Sequence, residues 1–138
     1  MSATDRRLRI AVLVHEGCML SSIASATDCL RVAQTLSDIR APNSGLKMET
    51  LIFGARGQPH VRTSTGLQLG GLAEPDFDVD LLLLPGIMHN SPHDLGMRVQ
   101  AMQAEIALIR DFHLRGVPIA GTCSGGNLLA QSGLLDGH

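Results

Sequence analysis

Val117-Pro-Ile-Ala-Gly-Thr-Cys-Ser-Gly-Gly126 runs from a short apolar segment into a glycine-rich turn, and helical spacing resumes over Asn127–Gln131. Its core, Gly121-Thr-Cys-Ser-Gly125, has the form G-x-C-x-G between a strand and a helix. That is the thiol counterpart of a nucleophile elbow. The spacing has a physical reason. Backbones pass closely at a tight strand-to-helix turn, so the positions two before and two after Cys123 must lack bulky side chains. The turn then holds the sulfur over the sheet edge. The helix start behind it supplies positive potential and free N–H groups, which favour negative charge at the sulfur. The amide of Ser124 is placed to bond an anion or a developing oxyanion.

Working outward from the turn, the pattern alternates strand-like runs with helical periodicity. Arg9–Val14 is apolar and rich in branched residues without alternation, which predicts a strand buried on both faces of a parallel sheet. Leu20–Leu36 predicts a helix: Ile23, Ala26, Leu30 and Ala33 share a face that Cys29, Val32 and Leu36 widen, and Ser21 or Ser22 can cap it. Ala41–Gly45 breaks the chain. Lys47–Gly54 is a second strand, and Gln58–Leu72 suits a small hairpin. Val79–Leu84 is the most apolar strand and is placed centrally, stopped by Pro85-Gly86. After a loop over His89–Asp94, one long helix is predicted from the stripe Leu95, Val99, Met102, Ile106, Ile109 and His113, with Gly116 just past its end. This order gives an α/β layered domain around a mostly parallel sheet. Ligands in such sheets sit at the carboxyl ends of the strands. The segments after Val14, Leu84 and Ala120 therefore matter most. Gly86 and Ile87 offer amides that could complete an oxyanion hole with Ser124.

Composition excludes several classes. The chain has 138 residues, room for one domain, and its net charge is −2, which gives no polyanion-binding surface. Phe53, Phe77 and Phe112 are the only aromatic residues, too few for a base-stacking platform. No apolar run is long enough for a transmembrane helix, and the polar Met1–Arg9 stretch reads as a solvated basic tail, not a secretory signal. Three cysteines without paired spacing argue against a disulfide framework and for a reducing cytoplasm.

A family resemblance rests on Arg9–Val14 with its following loop and helix, on Phe77-Asp-Val-Asp-Leu-Leu-Leu-Leu-Pro-Gly86, and on Ile119-Ala-Gly-Thr-Cys-Ser-Gly-Gly126. On these stretches, which span nearly the whole chain, it resembles the ThiJ/PfpI superfamily, relatives of the class I glutamine amidotransferase domain. Cys123-Ser-Gly-Gly-Asn-Leu-Leu-Ala-Gln-Ser-Gly-Leu-Leu-Asp-Gly137 and Ser22-Ile-Ala-Ser-Ala-Thr-Asp-Cys-Leu-Arg-Val-Ala33 are similar to the amidotransferase-like sensor domains of AraC-type transcription regulators. The resemblance implies a flavodoxin-like three-layer α/β sandwich and a homodimer. It implies a DNA-binding domain that residues 1–138 do not contain. It also implies that the C-terminal elements of the family domain are missing, so the chain is expected to be a truncated single domain. Two departures matter. The acid that catalytic members carry after their first strand falls, by count, at Ser22. Serine can hydrogen-bond a sulfur but cannot serve as a base near neutral pH. Glu16 comes too early and reads as a solvated loop residue. The family histidine, often within Thr-His, lies further along than His138.

The leading expectation is therefore a non-catalytic, small-molecule-sensing domain with Cys123, Ser124, Gly86, Ile87, Ser22 and His89 around a polar or anionic ligand. The alternative is a cysteine-dependent hydrolase, hydratase or glyoxalase, with Cys123 as nucleophile and a base from His15, Glu16, His89 or a residue beyond position 138. A dimerisation module with a vestigial cavity is the third reading. No cofactor and no metal are expected. His89 and His93 lie in a loop without a third ligand. Asp76, Asp78 and Asp80 lead into a strand without calcium-loop spacing. His113 reads as partly buried, Cys18 as an incidental small residue and Cys29 as inert packing. Met19, Met88, Met97 and Met102 read as core or pocket wall.

Overall fold

The computed structural model describes residues 6–138. Strand β1 (Arg6–Val14) lies between β2 (Leu46–Gly54) and β5 (Leu81–Leu84), and β6 (Ile119–Gly121) closes the order β2-β1-β5-β6. All three pairings are parallel, with Val14 opposite Gly54, Val12 opposite Leu83 and Leu84 opposite Gly121. β1 thus begins at Arg6, earlier than the predicted Arg9. What reads as a basic tail is strand from Arg6 onward, and the rest of that tail, residues 1–5, lies outside the described residues. Arg9 is anchored there by Glu49 at 3.2 Å and Asp76 at 2.8 Å, so the acidic run before β5 serves a cation of the fold.

The lack of alternation in β1 has the predicted consequence. Ala11 and Leu13 face one side and Val12 and Val14 the other, and all four are buried. Helix α1 (Leu20–Arg40) and the short β3 (Val61–Arg62) and β4 (Gln68–Leu69) hairpin cover the side of Val12 and Val14. Helices α2 (Pro92–Ala101), α3 (Gln103–Leu114) and α4 (Gly125–Gln131) cover the other, with Phe112 of α3 stacked on Phe53 above Leu82 and Leu84. The reason lies in the order: β2 is added on one side of β1 and β6 on the other side of β5. Crossovers of one hand running in opposite directions put their helices on opposite faces. The loops after β1 and β5 meet at the point where the order reverses.

Several local expectations are corrected. The long helix is two, broken at Met102 (φ −90°, ψ 47°). Ser91 caps α2 by accepting from Asp94 N, so His93 belongs to the first turn of a helix. In α3 the stripe ends on buried Phe112, and His113 is exposed. Helix α1 starts at Leu20 without a side-chain cap, which places Ser21 and Ser22 inside its first turn. Only Ile23 of α1 is fully buried, and Cys29, Val32, Leu36 and Ile39 face outward. Met102 is buried and Met19 and Met88 line a cavity wall, but Met97 is exposed.

Candidate functional site

β6 leads directly into the Cys123 turn, and α4 leaves it. Cys123 is the sole non-glycine residue at positive φ among the described residues (φ 52°), and its side chain is exposed. A non-glycine residue in that region costs about 1–2 kcal/mol. Loss of one buried leucine costs about 2–5 kcal/mol, so the core sustains the turn easily. The two glycines have the predicted role. A Cβ at Gly121 would lie 2.6 Å from Gly126 N, and one at Gly125 would overlap the Leu84 carbonyl. Thr122 N donates to that same carbonyl at 2.9 Å, which fastens the turn to β5.

Ser124 is buried and its hydroxyl is fully engaged. It accepts from Ile87 N at 2.7 Å and donates to Ile87 O at 2.9 Å. This corrects the reading of Ile87: its amide is spent on Ser124 and is not available as an oxyanion donor. Ser124 acts through its side chain as a staple between elbow and β5 loop. The amide of Gly86, by contrast, makes no backbone hydrogen bond among the described residues, while its carbonyl accepts from Met19 N.

Gly86 is where the site converges. A Cβ there would stand 3.0 Å from Ser22 Oγ, 3.1 Å from Met19 Sδ and 3.4 Å from Cys123 Cβ. The hydroxyl that counting puts in the family acid's place is therefore beside the elbow. The candidate bases are committed elsewhere. His15 is buried and its Nδ1 donates to Glu16 O. Glu16 accepts from Arg62 N at 3.1 Å. His89 Nδ1 donates to Ile87 O at 2.8 Å. Cys18 is buried on the α1 side of the sheet, and burial pushes its thiol up. Among the described residues no group of three His, Cys, Asp or Glu side chains could hold a metal ion. No helix among them is long and apolar enough to cross a membrane.

Sequence reasoning missed a second group at the same edge. Glu105 is buried on the apolar face of α3 and receives Arg56 Nε at 3.1 Å and Nη2 at 3.2 Å. The available signal was a lone acid within the stripe of Met102, Ile106 and Ile109. A charge so placed needs a partner from outside its helix.

No protein-family model matches the sequence, and no curated protein matches it. Solved structures do. A protein described as a transcriptional regulator from Vibrio parahaemolyticus superposes with a TM-score of 0.69 at 21% identity, over 94% of this chain and 63% of that one. An AraC family transcriptional regulator from Pseudomonas putida gives 0.63 at 19%, over 94% and 72%. Drosophila melanogaster DJ-1beta gives 0.62 at 20%, over 92% and 61%. These likenesses establish the shared α/β fold. The chain spans less than two thirds of the Vibrio and Drosophila proteins.

Proposed function

We propose that this chain is the small-molecule-sensing domain of an AraC-type regulator, non-catalytic, with its ligand held at the elbow. The carrying observation is an elbow fully built in backbone with Ser22 Oγ, not a carboxylate, beside Gly86 and Cys123. A thiol without a base next to it can bind a ligand but is poorly equipped to turn one over. The free Gly86 amide, the Ser124 amide and Ser22 Oγ suit a small polar or anionic metabolite. Likeness to regulators over almost the whole chain supports the same reading. Pairing of two copies in the cytoplasm belongs to it, supported by the uncovered Val32, Leu36 and Ile39 on α1. DNA would be reached through a separate domain.

The alternative is a cysteine-dependent enzyme of the same fold, which the exposed Cys123 sulfur favours. One experiment separates the two. Wild type, Cys123→Ala and Gly86→Ala are assayed for turnover of methylglyoxal and an amide panel, and for thermal stabilisation by a small-metabolite library. The sensor reading expects saturable stabilisation without turnover. Gly86→Ala should lose that stabilisation, because its methyl fills the space between Ser22, Met19 and Cys123. Turnover that disappears in Cys123→Ala overturns it in favour of the enzyme.

A further inference from the structure

We infer a second small-molecule site, distinct from the elbow and independent of the reading above. It is a cavity of about 390 Å³ at the carboxyl ends of β1 and β2, and it takes a small monoanionic hydroxycarboxylate. The volume lies within the range of metabolite pockets. His15, Arg56, Arg98 and Glu105 line it together with apolar Ile87 and Met102. These groups come from the β1–α1 loop, the end of β2, the β5–α2 loop and the junction of α2 with α3.

Two features specify the ligand. The first is an unfilled guanidinium. Arg98 gives its Nε to both oxygens of Asp94 at 3.0 Å, and its Nη atoms make no protein hydrogen bond among the described residues. Its Nη1 sits over the β1–α1 loop, 4.0 Å from where a Gly17 Cβ would be. A guanidinium edge of this kind receives a carboxylate in two parallel hydrogen bonds. The charge balance sets the size of the anion. Arg56 and Arg98 face Glu16 and Glu105 across the lining, with Asp94 on Arg98. These groups already carry one more negative charge than positive, so a dianion such as phosphate is disfavoured more strongly than a single carboxylate, which the open Nη edge of Arg98 holds by hydrogen bonds.

The second feature is an orphaned acceptor. His15 is 3% exposed, and among the described residues its Nε2 has no hydrogen-bond partner. Its Nδ1 faces the Glu16 carbonyl at 3.1 Å. A carbonyl only accepts, so Nδ1 carries the proton. Burial keeps the ring neutral by lowering its pKa, and Nε2 therefore bears a lone pair. A buried acceptor left unpaired costs about 1–3 kcal/mol, which a ligand hydroxyl recovers directly or through one water. Carboxylate for Arg98 and hydroxyl for His15 together define a hydroxycarboxylate.

The test titrates the full chain with lactate, 3-hydroxybutyrate, butyrate and inorganic phosphate, following Tm and the ¹⁵N shift of His15 Nε2. At least one of the two hydroxy acids should bind saturably and move the His15 signal. Butyrate should bind at least tenfold more weakly, and phosphate should not bind. Arg98→Gln, at an exposed helix position, should fold normally and lose at least tenfold in affinity, while Cys123→Ala should bind as wild type does. No saturation by either hydroxy acid, equal binding of butyrate or phosphate, or unchanged affinity in Arg98→Gln would each overturn the assignment. Loss of binding in Cys123→Ala would overturn it too, and would move the ligand to the elbow.

Discussion

The elbow and the Arg56–Glu105 cavity lie along one edge of one sheet and are built by opposite means. The elbow is made of backbone: two glycines pressed against neighbouring main chain, a cysteine at positive φ and a serine stapled to Ile87. Among the described residues no titratable side chain is hydrogen-bonded to Cys123. The cavity is made of long side chains from four separate segments, and it has room and charge. The difference teaches that a fixed turn positions an atom, whereas a converging set of side chains shapes a space.

The sharpest way to break this contrast is Gly125→Ala. If the elbow depends on close backbone passage, one methyl against the Leu84 carbonyl should cost at least about 3 kcal/mol in urea unfolding. A cost below about 1 kcal/mol would show that the turn can relax. On the cavity side, Arg56→Met removes the only hydrogen-bond partner that the buried Glu105 carboxylate has among the described residues. The expected loss is about 2–4 kcal/mol. It should exceed that of Glu105→Gln, because Arg56 is half-exposed and water can solvate it once it is unpaired. The reverse order would mean that Glu105 is hydrated.

A smaller effect concerns His15. Burial holds its pKa below the ordinary histidine value, against the opposing influence of Glu16 and Glu105. Below about pH 6.5 the unfolded chain therefore takes up the proton before the folded one does. Stability should fall as pH drops from there towards the folded-state pKa, and this contribution should be flat above about pH 6.5. Comparing wild type with His15→Phe between pH 5 and 8 isolates the effect, and a pH-independent difference would contradict it. The smallest change is expected from Cys123→Gly. Relief of the positive φ and the added freedom of the unfolded chain nearly cancel, so stability should move by less than about 1 kcal/mol, towards the stabilising side. A loss above about 2 kcal/mol would mean that the sulfur is packed, not displayed.

Much of the layered order was legible in advance, because continuous apolar runs such as Leu81–Leu84 and a glycine-bounded turn are local signals. The elbow was legible for the same reason: Gly121, Cys123 and Gly125 fall within five consecutive residues, and the close passage that requires those glycines is a property of the turn itself. The role of Ile87 was not legible, since its amide was claimed by a serine 37 positions away. Nor was the burial of α1, where an apolar face predicts a buried one but only Ile23 is fully buried, while Ala26, Leu30 and Ala33 are half-buried. The break at Met102 has no glycine or proline to announce it. Sequence by itself determined the succession of strands and helices along the chain, the turn and the cysteine upon it, because these depend on neighbours in the chain. Only the tertiary structure decided which amide stayed free, which helix face stayed wet, and that His15, Arg56, Arg98 and Glu105 share one cavity. Those outcomes depend on which distant segments the doubly wound sheet brings to the same edge.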